Sequence, residues 1–369
     1  MDKQSEEKLS WLTLYLIKGL GNSVIMRLVK KFGSPENVLE AGLPELMRVD
    51  GIREDVAGRI TKRECITEPE GELEKAHHLN ARIISFGDES YPPLLREINS
   101  PPVILYLKGA DFPPDMDFIA IVGSRNPTHY GIKVAERIGR GLALKKVGVV
   151  SGMAVGIDAS AHQGSLLGKG FTMAVLGAGL DIDYPVPNRQ LRKKIEALGL
   201  VVSEFPVGTP PEPRNFPIRN RIISGLSRGV VVVEATLKSG SLITASFALD
   251  QGREVFSVPG SINSFKSTGT HLLIKQGAKL VETADDILEE FRFKKDALRH
   301  ETGMSETAES VHGMDDVEKK IFDILSDYPL HLDDIARSSG LDPGVVSSIL
   351  MKLELKGAVK QLPGKVFVR

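Results

Sequence analysis

The sequence predicts an α/β protein: a parallel β-sheet covered on both faces, preceded by a helical segment and followed by a unit of three helices and a hairpin. Three observations carry this. Six short β-rich runs between residues 119 and 258 are bounded by small residues and alternate with helical patterns. Apolar spacing is helical before residue 75 and again beyond residue 315. A polar stretch without periodicity separates the last two regions. The chain of 369 residues exceeds the ~100–200 of an ordinary domain. The expected division is 1–75, 76–292, a linker at 293–314, and 315–369.

In the first region Trp11, Leu12, Leu14, Tyr15 and Leu16 lead into the turn Gly19-Leu20-Gly21, after which Val24, Ile25, Leu28 and Val29 recur at helical spacing. A second turn, Val49-Asp50-Gly51-Ile52, precedes a helix through Val56 and Ile60. These units look like a pair of helix-hairpin-helix (SAM-like) motifs, whose turn amides either hold a DNA phosphate or serve only as spacers. In the middle region Ile83-Ile84 and Val103–Leu107 are strand-like around the turn Tyr91-Pro92-Pro93. The β-rich runs follow at Ile119–Val122, Val147–Val150, Thr172–Leu176, Leu200–Val202, Val230–Val233 and Glu254–Val258. Strands alternating with helices imply crossover units and a buried parallel sheet. In the last region helices are expected at Val317–Leu325, Leu332–Ser338 and Pro343–Lys356, with a Pro363-Gly364 turn between short strands. That order is the order of a winged helix, with acids concentrated in Asp316–Asp334 and bases in Lys352–Arg369.

Composition narrows the function. The 47 Lys+Arg and 48 Asp+Glu nearly cancel, so any polyanion must be held by a local basic patch. Hydrophobic residues at 41% and charged residues at 26% exclude wholesale disorder. No apolar run is long enough to span a bilayer, so no membrane association is expected. The polar opening Asp2–Lys8 is unlike a secretory signal. Cys65 is the only cysteine and can form neither an internal disulfide nor a cysteine-built zinc site, which points to a cytoplasmic setting.

In an open parallel sheet, ligands bind outside the carboxyl ends of the strands. Here those ends read Gly123-Ser124-Arg125, Ser151-Gly152-Met153-Ala154, Gly177-Ala178-Gly179, Ser203-Glu204, Glu234-Ala235 and Pro259-Gly260. Small residues let a backbone approach a ligand, and following helix N-termini attract anions, so the expected feature is a phosphate-lined crevice. Common nucleotide motifs do not fit. Gly177-x-Gly179 has Ile182 where a dinucleotide fingerprint needs glycine, and Gly164–Gly170 has the wrong spacing for a Walker loop. No metal or cofactor is expected.

Between the fourth and fifth runs, Arg214, Phe216, Arg219, Asn220 and Arg221 crowd together. Guanidinium groups hold phosphates and an aromatic face stacks on an unpaired base, a pairing that favours a single strand over a duplex. The alternative is a helix packed by Ile222, Ile223 and Leu226 with solvated arginines. Ser239-Gly240-Ser241 precedes an apolar helix, either as an anion site or as plain capping. Asp158 and His162 stand four apart on one expected helix, where they can face each other as an acid–base pair, as two metal ligands, or as a structural pair in which His orients the carboxylate.

Taken in order, these strings resemble the DNA-processing protein A (DprA/Smf) family. The resemblance rests on Gly123-Ser124-Arg125 with Tyr130-Gly131, Ser151-Gly152 through Asp158, Ala174–Gly177 through Asp183-Tyr184-Pro185, Phe216–Ser227, Ser239–Ala245 and Val258-Pro259-Gly260. It implies an extended Rossmann-like core that binds single-stranded DNA, dimerises, and loads a RecA-type recombinase past single-strand-binding protein during natural transformation. Carried onto this chain, the family's strand pocket falls on Ser124, Arg125, Phe216, Arg219 and Arg221. Arg214 and Asn220 adjoin it, and Gly152, Gly177, Ser239, Gly240 and Ser241 follow from the strand-end argument.

Binding without catalysis is the expectation, since no nucleophile–base arrangement is evident. One rival is a nucleoside monophosphate hydrolase, whose Pro-Gly-Gly-x-Gly-Thr string is absent here, Ser239-Gly240-Ser241 following Glu234 instead. Another is a transcription regulator reading duplex DNA, for which Pro343–Lys356 offers serines and lysines in place of Arg, Asn or Gln.

Overall fold

A computed structural model describes residues 3–291, 316–325, 330–355, 358–362 and 364–368. The expected linker at 293–314, and Lys356 and Arg369 of the basic tail, lie outside them. Residues 1–293 and 294–369 are two separate units.

The strand-like and β-rich runs become eight of the nine strands of the first unit, the ninth, Lys279–Leu280, being a two-residue strand that no such run marks. The strands are β1 (Arg82–Ser85), β2 (Ile104–Gly109), β3 (Phe118–Val122), β4 (Gly148–Ser151), β5 (Thr172–Leu176), β6 (Leu200–Ser203), β7 (Gly229–Val232), β8 (Glu254–Ser257) and β9 (Lys279–Leu280). Their order across the sheet is β1-β2-β6-β5-β4-β3-β7-β8-β9. Pairing is parallel from β6 through β9, while β1–β2 and β2–β6 are antiparallel. The chain lays β3 to β6 in one direction and then returns to place β7 on the other side of β3. The switch point therefore lies between β3 and its neighbours, where an open sheet leaves a crevice at the strand ends.

Helices cover both faces. Before the sheet come α1 (Lys3–Leu16), α2 (Asn22–Phe32), α3 (Pro35–Glu40), α4 (Leu43–Leu46), α5 (Glu54–Thr61) and α6 (Pro69–His78). Among the strands are α7 (Pro93–Arg96), α8 (His129–Leu144), α9 (Ile157–Leu167), α10 (Arg189–Leu198), α11 (Asn215–Gly225), α12 (Gly240–Asp250), α13 (Thr268–Lys275) and α14 (284–291). Successive side chains of a strand point to opposite faces. Val149 accordingly joins a core with Ile138, Leu142 and Ile287, while Val150 joins one with Ile222, Leu226 and Ala245.

The boundary expected at residue 75 is not a break in packing. Leu12, Leu16, Ile25 and Ile60 share one core with Ile104, Tyr106, Ala174, Leu176 and Val201 of the sheet. Polar contacts tie the same seam: Tyr15 donates to the Glu204 carbonyl, Asn22 Nδ2 to the Glu204 carboxylate at 3.3 Å, and the Val207 amide to Glu72 at 2.7 Å.

The second unit comprises α15 (Asp316–Ile324), β10 (Leu330–His331), α16 (Leu332–Ser339), α17 (Pro343–Leu355), β11 (Lys360–Leu362) and β12 (Val366–Val368). Ile321, Ile335, Leu350, Leu353 and Phe367 form its core. This is the winged-helix order, with one element the sequence pattern missed. β10 pairs with β12, a two-residue strand too short to show alternation.

Candidate nucleic-acid interface

The turn after β3 carries Ser124 and Arg125. Ser124 Oγ accepts from the Asn126 amide at 3.1 Å, and its carbonyl accepts from the Ile157 amide that opens α9. The loop is thus fixed from both sides while the Arg125 side chain stays exposed. Its guanidinium carbon lies 4.9 Å from the ring centre of Phe216, in the first turn of α11. The Tyr184 ring stands 5.7 Å from Phe216 at 37°. Gly177 makes this arrangement possible, because a Cβ there would lie 2.8 Å from Phe216 Cδ1. These groups open onto a crevice of about 620 Å³ reaching from the end of β3 to the start of α12.

Arg219 forms the floor. It is buried, donates at 2.7 Å to the Gly152 carbonyl and also to the Val175 carbonyl, and its Nε reaches Asn220 Oδ1 at 3.2 Å. Asp158 accepts from the Gly152 and Ala154 amides at 3.1 and 3.3 Å. Burial raises its carboxyl above the usual range, and the positive Arg219 pulls it back. Burial likewise lowers Arg219, to about 10, so its charge persists at neutral pH. At Gly152 a Cβ would meet Arg219 Nη2 at 2.6 Å and Asp158 Oδ2 at 2.7 Å. Asn220 also lines the crevice and reaches the Gly240 carbonyl at 3.4 Å.

At the far wall stands the N-terminus of α12. Ser239 is its N-cap without a side-chain cap bond. Ser241 lines the crevice, and its buried Oγ has no hydrogen-bond partner among the described residues. The Gly240 and Ser241 amides and an unused hydroxyl together suit an anion, while the Leu242 amide is spent on the Ser239 carbonyl at 3.1 Å.

Several expected positions diverge from this cluster. Arg221 is not a crevice residue. Two residues along a helix turn the side chain by about 200°, and Arg221 instead pairs with Glu204 at the seam with the N-terminal helices. Arg214 is exposed and paired with Glu212 at 2.5 Å, outside the crevice lining. His162 does not face Asp158. Its Nδ1 lies 2.7 Å from Thr172 Oγ1, and burial pushes its pKa down to about 3, so it is neutral. Glu234 is fully engaged, accepting from the amide and hydroxyl of Thr128 at the start of α8. Tyr184 belongs to the site although the sequence does not mark it as one of its residues. Its signal there is the string Asp183-Tyr184-Pro185, which does not announce an aromatic beside Phe216.

Fold and crevice together define an extended Rossmann-like sheet protein with an anion-suited site at the switch point and a winged helix appended. Comparison with known proteins carries this further. Residues 82–292 match the family model of DNA recombination-mediator protein A, and residues 305–365 match the DprA winged helix domain. The chain is 35% identical to Protein Smf of Synechocystis over 99% of both chains. It is similar to the X-ray structure of DNA processing protein A from Streptococcus pneumoniae, with 38% identity, a TM-score of 0.66, and coverage of 79% of this chain and 98% of that one. A Helicobacter pylori DNA processing protein A, whose structure concerns its single-stranded DNA binding mode, aligns with 29% identity and a TM-score of 0.53 over 58% of this chain and 96% of that one. The chain belongs to the DprA/Smf family.

Proposed function

We propose that this chain binds single-stranded DNA in the crevice and acts as a recombination mediator, loading a RecA-type recombinase onto the strand past single-strand-binding protein. The setting we infer is the cytoplasm, in natural transformation, with the protein acting as a homodimer. The observation that carries the DNA-binding part is the stack of Arg125, Phe216 and Tyr184 at the crevice mouth. An aromatic face accepts an unpaired base, and the exposed guanidinium reaches the adjoining phosphate. Ser239, Gly240 and Ser241 offer a second phosphate position at the α12 N-terminus. Arg219 acts from beneath, holding the Gly152 loop and Phe216 in place and adding positive potential.

Binding without turnover is the reading the residues favour. Asp158 is the one carboxylate in the crevice lining and is committed to two amides, while Glu234 is committed to Thr128. Duplex readout is less suited to the winged helix, whose α17 exposes Val345, Ser348 and Met351 in place of base-reading side chains.

Two measurements test this. Anisotropy titrations should give tighter binding to a single strand than to a duplex of the same sequence, weakening as salt rises. Equal or stronger duplex binding would overturn the crevice assignment. A loading assay follows recombinase filament growth on strands coated with single-strand-binding protein. Growth unchanged by this protein would remove the mediator role.

A further inference from the structure

The Arg125–Asn126 turn is exposed, and the half-buried Pro127 and Thr128 lead from it to the exposed His129 and Tyr130 at the start of α8. From there Tyr130, Lys133, Arg137 and Arg140 follow at spacings of three, four and three, which places them on one face of the helix. They line a shallow groove of about 560 Å³ with Leu144 at its far end. Tyr130 to Arg140 spans about 15 Å at the helical rise.

This stripe differs from several other exposed cations. Arg82, Arg189, Arg228 and Lys145 are each paired with an aspartate. Lys133, Arg137 and Arg140 are in no ion pair among the described residues. Arg137 gives one donor to the Glu282 carbonyl at 3.0 Å, and Glu136 is the one acid in the groove. Cations three and four apart on one helix repel each other mildly, and Glu136, three from Lys133 and four from Arg140, offsets only part of this, so a polyanion alongside is favoured. Tyr130 adds an aromatic surface held in place: its hydroxyl donates to the Pro259 carbonyl at 3.0 Å while half of the residue stays exposed.

We propose that the α8 stripe is an exit track, along which a single strand held in the crevice continues over Tyr130 and past Lys133, Arg137 and Arg140. The proposal rests on the crevice reading and commits to the same strand as occupant, because the stripe lies on the helix into which the Arg125 turn leads and carries the matching charge. Tyr130 stacks a base, and the three cations meet successive phosphates.

The test is a length series of oligonucleotides titrated against wild type, Lys133→Gln/Arg137→Gln/Arg140→Gln, Tyr130→Ala, and Arg125→Ala. None of the α8 substitutions touches the crevice, and glutamine keeps the helix favourable. The triple variant should match wild type on the shortest strands that bind. On long strands it should lose affinity about ten-fold or more, and its slope of log affinity against log salt should fall by about 2, from ~0.7 per phosphate contact. Tyr130→Ala should weaken long strands without changing the slope. Unchanged long-strand affinity and slope in the triple variant would overturn the track, as would an equal loss at every length. Unaltered DNA binding with lost association to a protein would do the same, assigning the stripe to another partner. Arg125→Ala separates the two readings. If it leaves the shortest strands unaffected, the crevice reading fails; if it weakens them while the triple variant behaves as wild type, only the track fails.

Discussion

Replacing Phe216 and Arg125, singly and together, probes the crevice most directly because the two groups meet and contribute by different physics. Stacking one base on an aromatic ring contributes ~1–3 kcal/mol by alanine substitution, so Phe216→Ala should weaken strand binding about 5- to 150-fold. Arg125→Ala removes a charge-assisted contact of ~1.5–3 kcal/mol, a loss of about 10- to 150-fold. The guanidinium lies 4.9 Å from the ring centre, so the ring also holds the arginine in place before the strand arrives. Without the ring, ordering that side chain costs ~0.5–1.5 kcal/mol at the moment of binding. The double variant should therefore lose less than the sum of the single losses, by about that amount. Anisotropy titrations at several salt concentrations give both readouts. Arg125→Ala should reduce the salt slope by about 0.7, and Phe216→Ala should leave it unchanged. Strictly additive losses, or a slope that falls with the ring and persists without the arginine, would refute the arrangement.

Three further perturbations address the framework. His162 is held neutral by burial at about 3, below its free value of 6.5, so the unfolded chain takes up the proton first and stability falls as pH drops below that free value. The linked loss is about 2 kcal/mol by about pH 5, and denaturant titrations should show it shrinking in His162→Leu; parallel pH profiles would exclude His162 as its source. Asp158→Ala leaves Arg219 buried without its neighbouring negative charge and should destabilise the fold by ~3–5 kcal/mol, seen as a lower urea midpoint. Glu234→Ala frees the Thr128 amide and hydroxyl at the start of α8 and should cost ~1–3 kcal/mol in the same assay.

Much of the sheet was legible because most strands are Val- or Ile-rich runs closed by a small residue, whereas β9 is only Lys279-Leu280 and carries no such signal. Thr172–Leu176 could be read from pattern alone. The strand-end argument was legible for the same reason: glycine and serine in that position need close backbone approach, and Gly177 beneath Phe216 is one case. The direction of a helical side chain was not. Arg219 and Arg221 look like a matched pair in the sequence, yet one floors the crevice and the other turns to Glu204, contributed by the end of β6. No local pattern announces a partner seventeen residues away on another element. Tyr184 was obscured in the same way, since it reaches Phe216 from a loop between β5 and α10.

The N-terminal helices make the stronger case for tertiary information. Their turns read as detachable hairpins, but Tyr15 and Asn22 converge on Glu204, whose burial raises its carboxyl pKa and whose negative charge is supported by Arg221 and Asn22. Arg221 sits on α11, the helix that carries Phe216 and Arg219 toward the crevice. A buried pair is costly to break from one side, because the remaining charge is left without compensation. Removing residues 3–78 would strip Glu204 of Tyr15 and Asn22 and open Ile104, Tyr106, Leu176 and Val201 of the shared core to water. α11 would then lose support on the face opposite the crevice. The helical segment is therefore part of what positions Phe216, whether or not its own turns ever meet a phosphate.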